Sequence, residues 1–144
     1  MSLVIAHFTL ALSAFLSSTL LPGTSEVALL AAISQWPDYT LSFLTVATIT
    51  NTAGSTVSYA LGRAAMHYAD RRWLGVSRNN FDRSAALYNR FGLLSLLFAW
   101  LPIIGDPLTL AAGVLRVRFV PFLILVATGK LARYAALAAG FLSL

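Results

Sequence analysis

Apolar residues run along this chain in four long blocks. From Leu3 to Pro37 the one formal charge is Glu26, and Tyr39 to Gly62 carries none. Phe91 to Leu115 carries only Asp106, and Phe119 to Leu144 carries Lys130 and Arg133. Each block reaches the roughly 20 apolar residues that a helix needs to cross a hydrocarbon core. The first block has the look of a signal peptide, but Met1 to Ser18 holds no Lys or Arg and no small-residue cleavage site leads into a polar domain. It is therefore expected to stay.

Between the second and third blocks lies the one aqueous stretch, residues 63–90. It holds Arg63, Arg71, Arg72, Arg78, Arg83 and Arg90 against Asp70 and Asp82. Arginines concentrated beside membrane segments mark the cytoplasmic side. Its helix-like pieces, residues 64–74 and 80–88, are expected to lie along the headgroups as an Arg-rich amphipathic segment. A merely solvated topogenic loop is the plainer alternative.

The blocks hide a repeat. Leu21 to Ala32 (LPGTSEVALLAA) lies over Leu101 to Ala112 (LPIIGDPLTLAA) without a gap, and Glu26 falls on Asp106. Each half has an apolar arm, a break, an acid four positions after the proline and a second apolar arm. Pro22, Pro102 and Pro107 each remove a backbone donor, and Gly23 and Gly105 allow non-helical torsions. Non-helical backbone at membrane depth survives where protein or a polar cavity covers it. Arms of this length around a break suit a re-entrant hairpin.

The predicted fold is therefore an all-α integral membrane protein, one domain over residues 1–144. A first re-entrant hairpin covers 3–34, a transmembrane helix 39–62, and the Arg-rich cytoplasmic segment 63–90. A second hairpin over 91–115 and a transmembrane helix over 119–142 complete it. Hairpins inserted from opposite faces, each followed by a span, make an inverted-topology repeat with its site near the midplane. A bundle of four kinked spans is the rival architecture.

Composition narrows the function classes. Of 144 residues 58% are apolar and 10% charged, against about 25% charged in soluble domains. The mean hydropathy is +0.79. A soluble enzyme and a disordered tail are disfavoured, and the absence of cysteine excludes a disulfide scaffold, a Cys nucleophile and a Cys-containing zinc site. His7 and His67 are too far apart in sequence to suggest a metal site. The net charge of +5 does not point to nucleic acid, because the basic residues are scattered between apolar blocks. No cofactor, metal or catalytic residue is expected.

The candidate chemistry lies in charges that lipid disfavours. A charge at the bilayer centre costs roughly 2.5 to 3.5 kcal/mol on insertion scales and by default marks a pathway. Glu26 and Asp106 follow the two breaks, where each also suits capping of the next arm. Lys130 and Arg133, three apart, share one face of the last helix. Lys130 lies too deep for easy snorkelling, so a hairpin carboxylate, Asp106 or Glu26, is its expected partner. Asn51, Ser55 and Tyr59 make a polar stripe beside the small residues Gly54, Ser58 and Gly62, whose spacing suits close helix packing. Trp36 and Trp73 suit interface anchors, and Trp100 belongs to the second hairpin.

In order and spacing these residues resemble a small member of the DedA family, also called SNARE-associated or VTT-domain proteins, close to its YqaA-like subgroup. The likeness rests on Pro22-Gly23-Thr24-Ser25-Glu26, Gly54 with Ser58-Tyr59-Ala60-Leu61-Gly62-Arg63, and Arg90-Phe91-Gly92. It continues through Leu101-Pro102-Ile103-Ile104-Gly105-Asp106-Pro107, Ala112-Gly113-Val114-Leu115-Arg116 and Gly129-Lys130-Leu131-Ala132-Arg133-Tyr134. The resemblance implies paired re-entrant hairpins in a bacterial inner membrane and translocation of a lipid phosphate, such as a polyprenyl phosphate or a phospholipid. It makes Glu26 the membrane acid and Arg116 the arginine ending the second hairpin. Two departures stand out. Ser13 to Leu21 lacks the family's upstream acid, and Trp100 and Gly105 stand where family arginines flank the second proline. Lys130 or Arg133 then has to supply the phosphate contact. The expected pathway residues are Glu26, Asp106, Lys130, Arg133, Arg116 and Asn51, and the expected partners are membrane lipids and a second copy of the chain. A non-transporting interaction or lipid-binding protein is the alternative function, and an intramembrane aspartyl protease is the weakest of the three.

Overall fold

The computed structural model describes residues 2–19, 23–64, 86, 88–100 and 105–144. Pro22, Pro102 and nearly all of the Arg-rich segment (65–85 and 87, with Trp73) lie outside the described residues.

The regular structure described is helical. Helix α1 (Leu3–Ser17) opens on Ser2, whose hydroxyl accepts from the Ile5 N–H at 3.3 Å and so satisfies one of the first-turn donors. It buries Ala6, Leu10, Ala14 and Ser17, one stripe at helical spacing. Helix α2 (Thr24–Gln35) follows Gly23, which sits at φ 90° in the left-handed region. Glycine is needed there, since an L side chain would clash. The two helices pack against each other as a hairpin, joining Leu10 and Ala14 to Leu29, Ala32 and Ile33.

A 3-10 turn at Pro37–Tyr39, with proline in its first position, leads into α3 (Thr40–Ala64). Further on, a nine-residue 3-10 helix (Gly92–Trp100) packs on α4 (Gly105–Val114), and α5 (Phe119–Leu142) follows. Among the described residues α5 is long and apolar enough to cross a membrane. At 25 residues α3 has the length, but its threonines, serines and Asn51 lower its apolarity. An α-helical arm was the natural expectation for Gly92–Trp100, and a 3-10 run of that length is uncommon. Its rise of about 2 Å per residue carries nine residues about 18 Å, as far as α2's twelve residues reach at about 1.5 Å each.

The chain divides into two compact units, Met1–Gly54 with Lys130–Leu144, and Ser55–Gly129. Each holds one hairpin, one half of α3 and one half of α5. The first unit's core adds Phe43 and Ala47 of α3 and Tyr134 and Ala138 of α5 to the α1–α2 hairpin. The second unit's core joins Tyr59, Leu96, Ala99, Leu108, Ala112, Val117, Phe122 and Val126.

Candidate functional site

The first unit gathers polar side chains where α1 ends and α2 begins. The last four carbonyls of a helix lack intrahelical partners, and burying them in apolar surroundings without partners is costly. Here partners meet the Ala14, Phe15 and Leu16 carbonyls. Asn51 Nδ2 donates to the Ala14 carbonyl at 2.8 Å, and Ser18 Oγ donates to the Phe15 carbonyl at 2.9 Å. The Leu16 carbonyl accepts from the Thr19 N–H at 3.1 Å and from the Thr19 hydroxyl at 3.2 Å. Gly54 permits this approach of α3, since a Cβ there would meet Ser18 Oγ and lie 2.8 Å from the Phe15 carbonyl. The small-residue stripe on α3 is thus used for packing inside the protein.

Helix α5 supplies the cations. Lys130, only 2% exposed, donates to the side-chain oxygen of Asn51 and, at 3.2 Å, to its main-chain carbonyl. Asn51 therefore faces two ways, its oxygen toward the ammonium and its nitrogen toward the end of α1. One turn further along α5, Arg133 forms an ion pair with Glu26 in the first turn of α2. Next to it, Tyr134 donates to Ser25 Oγ at 2.9 Å, and Ser25 donates to Ser17 Oγ at 3.2 Å. Lys130, Arg133 and Tyr134 share one helical face, which joins α5 to α3 and α2 and, through Asn51 and Ser25, to α1.

The partners differ from those the sequence suggested. The Glu26 carboxylate takes Arg133, and Lys130 turns to Asn51. Neither Ser25 nor Glu26 caps α2: its N-cap is Gly23, with no side-chain cap bond. Both side chains are turned to other helices. The Thr48 hydroxyl, one turn before Asn51 and Thr52, is buried with no hydrogen-bond partner among the described residues.

The remaining predicted residues belong to the second unit. Asp106 lies in the first turn of α4, one residue after Gly105 opens the helix, so it is a first-turn residue and not a cap. Its main-chain carbonyl accepts from Thr109 Oγ1 at 2.8 Å. Pro107 is buried in the same turn. Gly105 lets the backbone approach Ala99, whose carbonyl a Cβ would strike. Arg116 is exposed in the turn that follows α4, at φ 56°. Ser17, Tyr134 and the bonding of Ser25, a capping candidate by sequence, to other helices escaped the sequence reading. The available signal was positional: Tyr134 shares the face of Lys130 at a spacing of four.

Helical hairpins, an apolar helix of membrane-spanning length and a buried polar centre define an all-α integral membrane protein. The VTT domain matches residues 21–141. The inner membrane protein YqaA of Escherichia coli K12 is 34% identical over 139 residues, covering 96% of this chain and 93% of its own. The Shigella flexneri YqaA protein matches equally. An uncharacterized protein of Haemophilus influenzae is 35% identical over 133 residues, covering 88% of this chain and 81% of its own. The chain belongs to the VTT-domain, or DedA, family and to its YqaA-like subgroup, and is a multi-pass protein of the inner membrane. No solved structure matches it.

Proposed function

We propose that this protein is a DedA-type transporter that carries a lipid phosphate, either a polyprenyl phosphate or a phospholipid headgroup, across the inner membrane with proton coupling. The observation that carries this reading is the polar cluster of the first unit, above all the exchangeable ion pair of Arg133 with Glu26 beside the buried Lys130. In the resting state the Glu26 carboxylate occupies the guanidinium that a phosphate needs. An arriving phosphate takes that place, since phosphate oxygens accept a guanidinium's paired N–H groups as well as a carboxylate does. The released carboxylate, now in an apolar setting, takes up a proton, and the proton leaves when the pair re-forms. Lys130 adds a second positive charge, and the Thr48 hydroxyl offers a hydrogen bond.

Re-entrant insertion of the hairpins belongs to the same proposal. Helices of 15, 12 and 10 residues extend about 22, 18 and 15 Å, short of the roughly 30 Å hydrocarbon core. The matched make-up of the two units supports an inverted repeat. Asp106, aligned with Glu26 in the second hairpin, is assigned to the other half of the cycle. Arg116 is assigned to headgroup entry, on the cytoplasmic side with the Arg-rich segment. A non-transporting interaction protein would draw on the small-residue stripe of α3 for its partner, whereas Gly54 and Gly62 both pack within their own units.

The test is reconstitution into liposomes with fluorescent short-chain lipids, scored by reduction of outer-leaflet dye. Wild type is expected to give a protein-dependent rate that falls at least tenfold in Glu26→Gln, ~1.4 kcal/mol. No protein-dependent rate with any headgroup, polyprenyl phosphate included, would return the choice to the interaction protein.

A further inference from the structure

In the second unit one buried tyrosine ties Arg63 at the end of α3 to the distant turn that carries Arg116 and Arg118. Tyr59, 4% exposed, donates its hydroxyl to the main-chain carbonyl of Val117 and accepts from Arg63 Nη1 at 2.9 Å. Its ring stacks among Phe119 and Phe122, with centroids 5.7 and 4.5 Å away. The Arg63 guanidinium at the end of α3 therefore lies one hydroxyl away from the turn that links α4 to α5. Val117 is buried in that turn, and its neighbours Arg116 and Arg118 are exposed.

Arg116 is held at some cost. The Val117 N–H bonds the Ala112 carbonyl at 3.0 Å, and the Arg116 N–H bonds the Gly113 carbonyl at 3.1 Å. This is the helix ending whose left-handed residue is usually glycine. Arg116 takes that place at φ 56°, the one positive φ outside glycine among the described residues. Glycine would make the same turn without a Cβ penalty, so what the position gains from arginine is its guanidinium. The apolar surroundings indicate the ligand. Leu115 and Phe119 are each 41% exposed and Val120 63% exposed, alternating with Arg116 and Arg118 along one short segment. Exposed cations interleaved with exposed apolar side chains suit the level where headgroup phosphates meet acyl chains. A soluble anion would need only the cations.

We propose that Arg63, Arg116 and Arg118 form a docking seat for an anionic phospholipid headgroup of the phosphatidylglycerol class, with Leu115, Phe119 and Val120 against its acyl chains. The seat lies in the second unit and deepens the headgroup-entry role proposed above for Arg116, but lipid binding to it is read without translocation, so either can fail alone. Arg63 and Arg116 also lie at helix C-termini, where cations stabilise the helix itself, so the test has to separate binding from stability.

Arg116→Gly does so. The purified full-length protein in detergent micelles is titrated with dioctanoyl phosphatidylglycerol or dioctanoyl phosphatidylcholine. Occupancy is read by native mass spectrometry and Tm by tryptophan fluorescence. Wild type should retain phosphatidylglycerol over phosphatidylcholine, and Arg116→Gly, Arg63→Gln and Arg118→Gln should each weaken that retention by about fivefold. Arg116→Gly should do this with a lipid-free Tm unchanged or raised, because the left-handed strain is relieved. Wild-type retention in Arg116→Gly overturns the seat, and a lowered Tm with retained lipid assigns the arginine to the helix end alone. Equal displacement by inorganic phosphate at matched concentration would overturn the lipid assignment in favour of a soluble anion.

Discussion

The two hairpin units bury helix ends in the same apolar setting with different chemistry. In the first, side chains meet the exposed backbone groups: Asn51 and Ser18 satisfy α1, and Arg133 and Tyr134 hold the first turn of α2. In the second, glycines let backbones touch. A Cβ at Gly62 would strike the Leu110 carbonyl, one at Gly113 the Tyr59 carbonyl, and one at Gly129 would come within 2.7 Å of the Leu97 carbonyl. Side-chain hydrogen bonds can be exchanged for a ligand's without unpacking the helices. Backbone contacts made through glycine cannot. On the proposed reading the contrast places exchange of the Arg133–Glu26 pair in the first unit and a rigid frame around Asp106 and Arg116 in the second, and each difference can be broken by substitution.

The largest stability effect is expected at Asn51. Asn51→Leu removes at once an acceptor from the buried Lys130 ammonium and a donor from the Ala14 carbonyl, at a cost of about 3 kcal/mol. Adding Lys130→Met should recover most of that loss, because an apolar pair of similar size tolerates burial better than a poorly held charge. Thermal unfolding of both singles and the double in detergent completes the cycle. Strict additivity would break the account of Asn51 as the lysine's holder. Gly62→Val comes next, at about 2 kcal/mol, since its added atoms meet backbone that a rotamer change cannot move away. Translocation per folded molecule should survive Gly62→Val and not survive Asn51→Leu with Lys130→Met. The opposite pattern would invert the division between the units.

A smaller effect, about 1 kcal/mol, is expected for Tyr134→Phe. The ring stays in the core, and Ser25 loses the phenol that donates to it. Its hydroxyl partnership also shows what the sequence did and did not disclose. Charges announce themselves in an apolar block, so Glu26, Asp106, Lys130 and Arg133 could be picked out singly, and a spacing of three placed Lys130 and Arg133 on one face. Pairing is another matter. Asn51 and Lys130 are 79 residues apart, and which residues meet depends on how far one helix slides along another. An offset of one turn separates Arg133 from Lys130 as the partner of Glu26. Hydroxyls are quieter still, for serine and tyrosine are ordinary in such blocks and nothing in composition sets Ser17, Ser25 or Tyr134 apart. The 3-10 winding of Gly92–Trp100 was hidden too, because an apolar run of this kind reads the same for a 3-10 and an α-helical arm.

The smallest stability effect, and the sharpest use of the comparison, is expected at the ion pair itself. The Arg133 and Glu26 side chains are 15% and 29% exposed, so neither is sealed in the interior. Glutamine in place of either residue still hydrogen-bonds the partner that remains, so each single change costs about 1 kcal/mol. Arg133→Gln and Glu26→Gln should therefore each shift unfolding less than Asn51→Leu does, while both stop lipid-phosphate translocation. The two substitutions should differ in what they leave behind. Without Arg133 the phosphate has lost its guanidinium, so binding of a short-chain lipid phosphate falls. Without the Glu26 carboxylate that guanidinium is no longer occupied, so binding holds or strengthens even as turnover stops. Binding by calorimetry beside the liposome rate separates the two. Equal loss of binding in both would mean that the carboxylate orients the arginine instead of competing for it, and the exchange step would have to be abandoned.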